Sequence, residues 1–303
     1  MHVGRSVCWV VSAFGCTLIL CIAACGGGGG GGGGEGGGIG PIAAPPAAAA
    51  PPQPAAASPV VQPVPATSRV VADSITSANT GAVYTLEIYL PASYGASTTV
   101  YPVIYAMDGD AIFNPPGSRF ANFRAILEAH NTQAILVGVG GTSRRERDYL
   151  MPGAQPYHEF LTQELVPHIE GSFRADASTR VLTGLSLSGS MTGVALFLEG
   201  ASGALTFTHF LSFEGSFDSQ TDENNDLEQK MYDARGTRPL PATLILTRCD
   251  NPQECNFGNV NDMYERLRSR AYPAFALTQR TYPDTHVGTD LPSFTDAIGQ
   301  LFP

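Results

Sequence analysis

Arg180-Val-Leu-Thr-Gly-Leu-Ser-Leu-Ser-Gly-Ser190 carries a short apolar run into a turn of small residues, and a helical pattern follows at once. Met191, Val194, Ala195 and Leu198 then recur at the 3.6-residue spacing of one helix face. Strand, Gly184-Leu-Ser186-Leu-Ser188-Gly189 and helix form the context of a G-x-S-x-G nucleophile elbow. Such a turn strains its central residue, so the positions two before and two after it must be small. The Ser186 hydroxyl then projects above the sheet, and the N–H of Leu187, at the helix N-terminus, points at a developing oxyanion. Gly184 meets the first requirement. Ser188 stands where glycine is usual, a departure that its small size tolerates. Taking Ser188 as the nucleophile would need serine at both flanking small positions, which favours Ser186. The plain alternative is an ordinary Ser/Gly-rich strand-to-helix turn.

Outward from this turn, short β-rich runs alternate with helical patterns from Val70 onward. Residues 85–90 alternate in the manner of a half-buried strand. Residues 100–107 and 134–139 are nearly continuous apolar runs, as expected of strands covered on both faces. Residues 180–183, 207–213, 242–247 and 274–282 complete the set. Between them Phe160, Leu161, Leu165 and Ile169 share one helical face, and Met263, Tyr264 and Leu267 another. The pattern predicts an α/β fold with a mostly parallel central sheet and helices on both faces. In such folds ligands sit outside the carboxyl ends of the strands.

Two such ends downstream carry suitable side chains. The run ending at Thr247 continues Arg248-Cys249-Asp250, and the run ending at Tyr282 continues Pro283-Asp284-Thr285-His286, before a helix over residues 291–301. A serine, an acid and a histidine in that order are the order of an α/β-hydrolase triad. Its chemistry assigns His286 to take the Ser186 proton and Asp250 to fix the imidazole tautomer. Glu254 is the second choice of acid. Asp284 is weaker, being too near His286 in sequence. His130, His158, His168 and His209 are scattered without metal-ligand spacing. Glu214 and Asp218, past the run ending at Phe213, fall at the rim of the cleft, and the sequence gives them no role.

Several further stretches carry a family resemblance. Tyr101-Pro-Val-Ile-Tyr-Ala-Met-Asp-Gly-Asp-Ala-Ile-Phe113 resembles the "yPvlYllDG…F" block of the putative-esterase (esterase D-like) α/β-hydrolases. Arg144-Arg-Glu-Arg-Asp-Tyr149 is similar to the R-x-R-D-[YF] segment of that group's siderophore-esterase-like branch, which includes enterobactin-type hydrolases. Phe160-Leu-x3-Leu-Val-Pro-His-Ile169 and the block from Pro283 to Pro292 match the same branch. The resemblance spans roughly residues 68–303. It implies an α/β-hydrolase fold, a serine esterase, and an oxyanion hole made by the N–H groups of Leu187 and Asp110. The family's G-x-x-E around the acid is here Thr247-Arg-Cys-Asp250, so both glycine and glutamate are replaced. For the Arg-rich segment 144–148 two readings stand: an Arg–Asp pair that locks a loop through bidentate bonds, or contact with a substrate carboxylate or polar headgroup.

The first 65 residues have a different character. Arg5 precedes a largely apolar run over residues 7–24, the layout of an export signal (residues 1–25). Its end, Ile22-Ala-Ala-Cys25, resembles the lipobox of bacterial lipoproteins, which implies diacylation of Cys25 and anchoring at the cell envelope. The Gly26 that follows leans towards the outer membrane. Plain secretion and an uncleaved anchor are the alternatives. Residues 26–65, Gly-rich and then Ala/Pro-rich, lack the bulky apolar side chains of a core and read as a disordered tether. Residues 66–303 remain for a single domain.

Of the six cysteines only Cys249 and Cys255 fall in that domain, too few for a zinc ribbon or an Fe–S cluster. In an exported chain the pair reads as a short-loop disulfide. Acids outnumber bases 27 to 17, for a net charge of −10, and no Lys/Arg stripe is present to neutralise nucleic acid. No metal or organic cofactor is implied. The expected partners are a small ester substrate and, through Cys25, a membrane. The rival functions are a catalytically silent envelope-binding protein on this scaffold and an acyltransferase.

Overall fold

The computed structural model describes residues 67–302. The export signal, the tether and Cys25 lie outside the described residues. In chain order the regular elements are β1 (Arg69–Thr76), β2 (Val83–Leu90), β3 (Tyr101–Ala106), α1 (Arg119–Ala129), β4 (Ile135–Val139), α2 (Arg145–Asp148), α3 (Ala154–Glu159) and α4 (Val166–Ser172). There follow β5 (Ala175–Leu185), α5 (Leu187–Ser202), β6 (His209–Phe213), α6 (Thr221–Arg235), β7 (Thr243–Cys249), α7 (Phe257–Arg270), β8 (Ala276–Tyr282) and α8 (Asp290–Leu301).

The eight strands form one sheet in the order β1-β2-β4-β3-β5-β6-β7-β8. β1 with β2 and β2 with β4 pair antiparallel, and every other neighbour is parallel. This is the α/β-hydrolase fold. Every apolar run read from the sequence is a strand. β1 and α1 were not among those runs. β1 is an edge strand whose residues are exposed or only half-buried, so it lacks the apolar run that marks its neighbours. α1 buries Phe120, Phe123 and Leu127, but it also buries Arg119, which blurs its apolar stripe.

Strand side chains alternate between two apolar layers. Val103, Tyr105, Leu182, Phe210, Leu244 and Leu246 face the layer covered by the helices from α3 to α7. Ile104, Val181, Leu211, Phe213 and Ile245 face α1 and α8. In that second layer the rings of Phe123 and Phe294 stack with centroids 3.7 Å apart. Fully burying each such side chain stabilises by about 1.5–3 kcal/mol.

One charged pair interrupts this layer. Arg119, 1% exposed, donates from Nε to Asp290 Oδ2 at 2.9 Å and from Nη1 to the Met107 carbonyl at 2.7 Å. Its Nη2 reaches Thr183 Oγ1 and Asp290 Oδ1. A buried pair is tolerable only when its remaining donors are satisfied, and here strand carbonyls do that. The pair fixes the first turn of α8 to the carboxyl ends of β3 and β5. It thereby sets the path of the loop that carries His286. Among the described residues no helix is long and apolar enough to cross a membrane.

Candidate active site

β5 ends at Leu185 and α5 starts at Leu187, so Ser186 is the entire turn between them. Its backbone, at φ 63° and ψ −119°, is of the strained kind that persists only where the surroundings impose it. They do so from β6: Ser186 N–H donates to the Phe213 carbonyl at 3.0 Å, and Ser216 N–H donates to the Ser186 carbonyl at 3.0 Å. A Cβ on Gly184 would collide with the Ser188 carbonyl, which is why only glycine fits two residues before the turn.

Ser188 is accommodated through its hydroxyl rather than its size alone. Fully buried, it accepts the Leu185 N–H at 2.8 Å and lies 2.7 Å from Asp108 Oδ2, to which it donates. Asp108, at φ 55°, opens the turn before Gly109 and Asp110. Its carboxylate also receives Arg145 Nε at 3.1 Å and the Tyr149 hydroxyl at 3.1 Å. Burial pushes the Asp108 carboxyl up from the ordinary carboxylate range, while Arg145 and the Ser188 hydroxyl pull it back down. One carboxylate thus ties the elbow to the loop bearing Asp110. The Asp110 side chain is itself engaged, accepting from Gly141 N–H, Thr142 N–H and the Thr142 hydroxyl. Among the described residues, neither the Leu187 nor the Asp110 backbone N–H donates to another protein group.

The acid differs from the expectation. His286 Nδ1 lies 2.8 Å from Glu214 Oε2, not beside Asp250. Glu214 follows β6 at φ 47° and is fully buried. Asp250 is exposed, and its recorded tie is its backbone N–H to the Tyr282 carbonyl. Glu254 is likewise exposed and bonds the Asn251 carbonyl through its N–H, while Asp284 Oδ1 is taken by the N–H of Thr285. The correction has a physical cause. β7 runs on to Cys249, which carries Asp250 past the cleft and turns the Cys249 N–H onto Glu214 Oε1 at 2.6 Å. The signal in the sequence was an acid directly after a buried apolar strand, followed by Gly215.

The Ser186 hydroxyl rests 3.1 Å from the Ser216 hydroxyl. Among the described residues this is its side-chain hydrogen bond, and none joins it to the imidazole. Such bonds are commonly long in a site without substrate.

Cys249 and Cys255 form a disulfide with Cα atoms 5.7 Å apart. Their sulfurs and a Glu214 oxygen lie within 4.8 Å of one another. Bonded to each other, the sulfurs are not thiolate ligands. In the Arg-rich segment, Arg144 grips Asp148 bidentately, with both bonds at 2.9 Å, and Asp148 also accepts the Tyr84 hydroxyl. Arg145 Nη2 donates to the Leu185 carbonyl at 2.8 Å. Both arginines therefore lock loops, and Arg147 is left exposed. A cleft of about 490 Å³ opens beside Leu187, lined by Thr142, Ser143 and Arg144 to Arg147.

Residues 77–199 match the sequence model of a family described as "Putative esterase". No curated protein gives a significant sequence match. Among solved structures, an IroE-like serine hydrolase from Shewanella oneidensis superposes with a TM-score of 0.64 at 21% identity, covering 77% of this chain and 80% of its own. The BES protein from Bacillus cereus gives 0.62 at 21% identity, over 78% and 96% of the two chains. The siderophore hydrolase EstA from Aspergillus nidulans gives 0.62 at 16% identity, over 81% and 97%. Residues 77–199 thus carry the putative-esterase pattern, and the chain as a whole has the α/β-hydrolase fold.

Proposed function

We propose that the protein cleaves carboxylic esters through a Ser186–His286–Glu214 triad and an acyl-enzyme intermediate. The observation that carries this reading is the 2.8 Å contact of His286 Nδ1 with a fully buried Glu214, two residues before the Ser216 on which the hydroxyl of a strained Ser186 rests. A carboxylate on Nδ1–H leaves Nε2 unprotonated and facing the cleft, which makes it the base. When an ester enters, the Ser186 hydroxyl turns from Ser216 to Nε2, loses its proton there and attacks the carbonyl carbon. The N–H groups of Leu187 and Asp110 meet the developing oxyanion. The imidazolium returns its proton to the leaving alcohol, and water repeats the sequence to release the acid.

The substrate class we favour is an acyl ester of the siderophore type. It is supported by the sequence pattern around Arg144 to Tyr149 and by the siderophore hydrolases among the similar structures. We place the protein at the cell envelope, held by lipid on Cys25, on the strength of its N-terminal sequence alone.

The test is a panel of ester substrates, siderophore lactones included, with fluorophosphonate labelling alongside. Ser186→Ala should lower turnover by roughly 10⁴-fold or more and abolish labelling, while Ser188→Ala keeps the label. A folded wild type that neither labels nor turns over any ester would return the chain to a binding role. Metabolic incorporation of an alkynyl fatty acid, lost in Cys25→Ser, tests the anchor.

A further inference from the structure

Two of the three hydrogen bonds to the Glu214 carboxylate come from one short loop. The N–H of Cys249 reaches Oε1 at 2.6 Å, and the N–H of Asn256 reaches Oε2 at 3.0 Å. The Asn256 side chain doubles its hold: Nδ2 donates to the Glu214 carbonyl at 2.7 Å and to the Ser216 hydroxyl at 3.0 Å. Ser216 is the residue on which the Ser186 hydroxyl rests. Asn256 therefore touches the acid directly and the nucleophile through one intermediary. The other charged neighbour, Arg248, turns to the Phe257 carbonyl and Asn261 Oδ1 instead of the carboxylate.

What delivers these two N–H groups together is the Cys249–Cys255 bridge, which closes the chain between them. The intervening segment forms neither strand nor helix. Its internal bonds all centre on Asn251, which accepts the N–H groups of Gln253, Glu254 and Cys255. Pro252, Gln253 and Glu254 are exposed. Without the bridge this segment has little packing to hold its far end over Glu214. Loops with few buried contacts open at low cost.

We infer that the Cys249–Cys255 disulfide and Asn256 act as a positioning device for Glu214, so that reduction of the bridge lowers ester turnover while leaving substrate binding intact. This rests on the reading of Glu214 as the triad acid. Cys249 is fully buried and Cys255 only partly, so a reductant meets the Cys255 sulfur. A thiolate of a dithiol bonds to that sulfur and breaks the S–S bond, and Cys249 leaves as a thiolate that takes a proton. The second thiolate then displaces Cys255, and the reductant closes to its cyclic disulfide. Two electrons pass to the protein, and the two protons on the new thiols balance the two given up by the dithiol.

The experiment compares the full-length protein before and after dithiol treatment, with reduction of the 249–255 bridge verified by peptide mass spectrometry. Ester kinetics and the NMR resonance of the His286 Nδ1–H proton, assigned with His286→Gln in ¹⁵N-labelled protein, are the two readouts. The expected result is a fall in kcat of about tenfold or more with KM little changed. The His286 Nδ1–H proton, far downfield while it is bonded to Glu214, should move upfield once its carboxylate partner slackens, towards the position set by Glu214→Gln. Asn256→Ala should reproduce both changes in the oxidised protein, and a Cys249→Ser/Cys255→Ser variant should show them regardless of reductant. An unchanged kcat and an unchanged His286 Nδ1–H resonance after full reduction overturn the inference. So does a global loss of near-ultraviolet circular dichroism on reduction, which would make the bridge a staple of the fold. If no ester is turned over at all, the esterase reading fails on its own. The His286 Nδ1–H resonance still decides whether the bridge positions Glu214.

Discussion

β6 and β7 are parallel neighbours, in register from His209 opposite Thr243 to Phe213 opposite Thr247. Each is apolar along most of its length, and each hands the chain to a carboxylate one residue past its end: Glu214 after β6, Asp250 after β7. The two acids have opposite fates. Glu214 is fully buried and accepts from two backbone N–H groups and the imidazole. Asp250 is exposed to water. The difference lies in where each strand stops. β6 ends at Phe213, while β7 continues beside β8, with Arg248 opposite Thr281 and Cys249 opposite Tyr282. The extension carries Asp250 beyond the cleft and lays the Cys249 N–H over Glu214. A strand-end acid is thus placed by the lengths of its neighbours as much as by its order in the chain.

The comparison breaks most sharply under paired substitution. Glu214→Gln keeps the shape and removes the charge that fixes the imidazole, and should lower kcat/KM by about 10³–10⁴-fold. That corresponds to roughly 4–5.5 kcal/mol of transition-state stabilisation. Asp250→Asn should change it by less than about twofold, as a solvated charge outside the site contributes little. Steady-state kinetics on any turned-over ester checks both. The reverse ranking would restore Asp250 as the acid.

A second contrast lies between the two sides of the imidazole. On the β6 side the site is held by backbone donors and a covalent bridge. On the other side the loop bearing His286 runs into α8, whose Asp290 is gripped by Arg119. Arg119→Met leaves a buried carboxylate unpaired and should cost about 3–5 kcal/mol of stability, read from urea unfolding. Arg119→Met with Asp290→Asn should cost less, because no charge is stranded. A loss below about 1 kcal/mol in the single variant would show that the stacked Phe123 and Phe294 rings, not the charge pair, hold α8.

The strands, the elbow at Ser186, the loop of His286 and the cysteine bridge were all legible in the sequence, because each is written in contiguous residues. Apolar runs mark buried strands. Small residues mark a turn that admits no others. Two cysteines with five residues between them can close on each other. The carboxylate that meets His286 was not legible for the same reason in reverse. Glu214 and Asp250 both follow an apolar run, and choosing between them needs the register of β6 against β7 and of β7 against β8, which no local stretch contains. Arg119 was hidden likewise, since its partners lie at Met107, Thr183 and Asp290. The disulfide closes the loop after β7, and the carboxylate that this loop contacts is Glu214, reached across the strand pair.

The smallest effect concerns Ser188, where this chain departs from glycine. Ser188→Ala removes the hydroxyl between the Leu185 N–H and Asp108, and should cost about 1–2 kcal/mol at neutral pH. Its pH dependence tells which of the two contacts matters. The Asp108 carboxyl is pushed up by burial, and the Ser188 hydroxyl is among the groups that hold it down. Removing that donor raises the folded-state value further above the ordinary 3.8, while the unfolded value is unchanged. A folded state that keeps its proton where the unfolded state has lost one is destabilised as pH rises. The penalty of Ser188→Ala should therefore be smallest near pH 4 and grow as pH rises through the folded-state value, as measured by urea unfolding of both proteins across that range. A penalty independent of pH would assign the hydroxyl to the elbow backbone alone, and would remove Asp108 from the link between the elbow and the Asp110 loop.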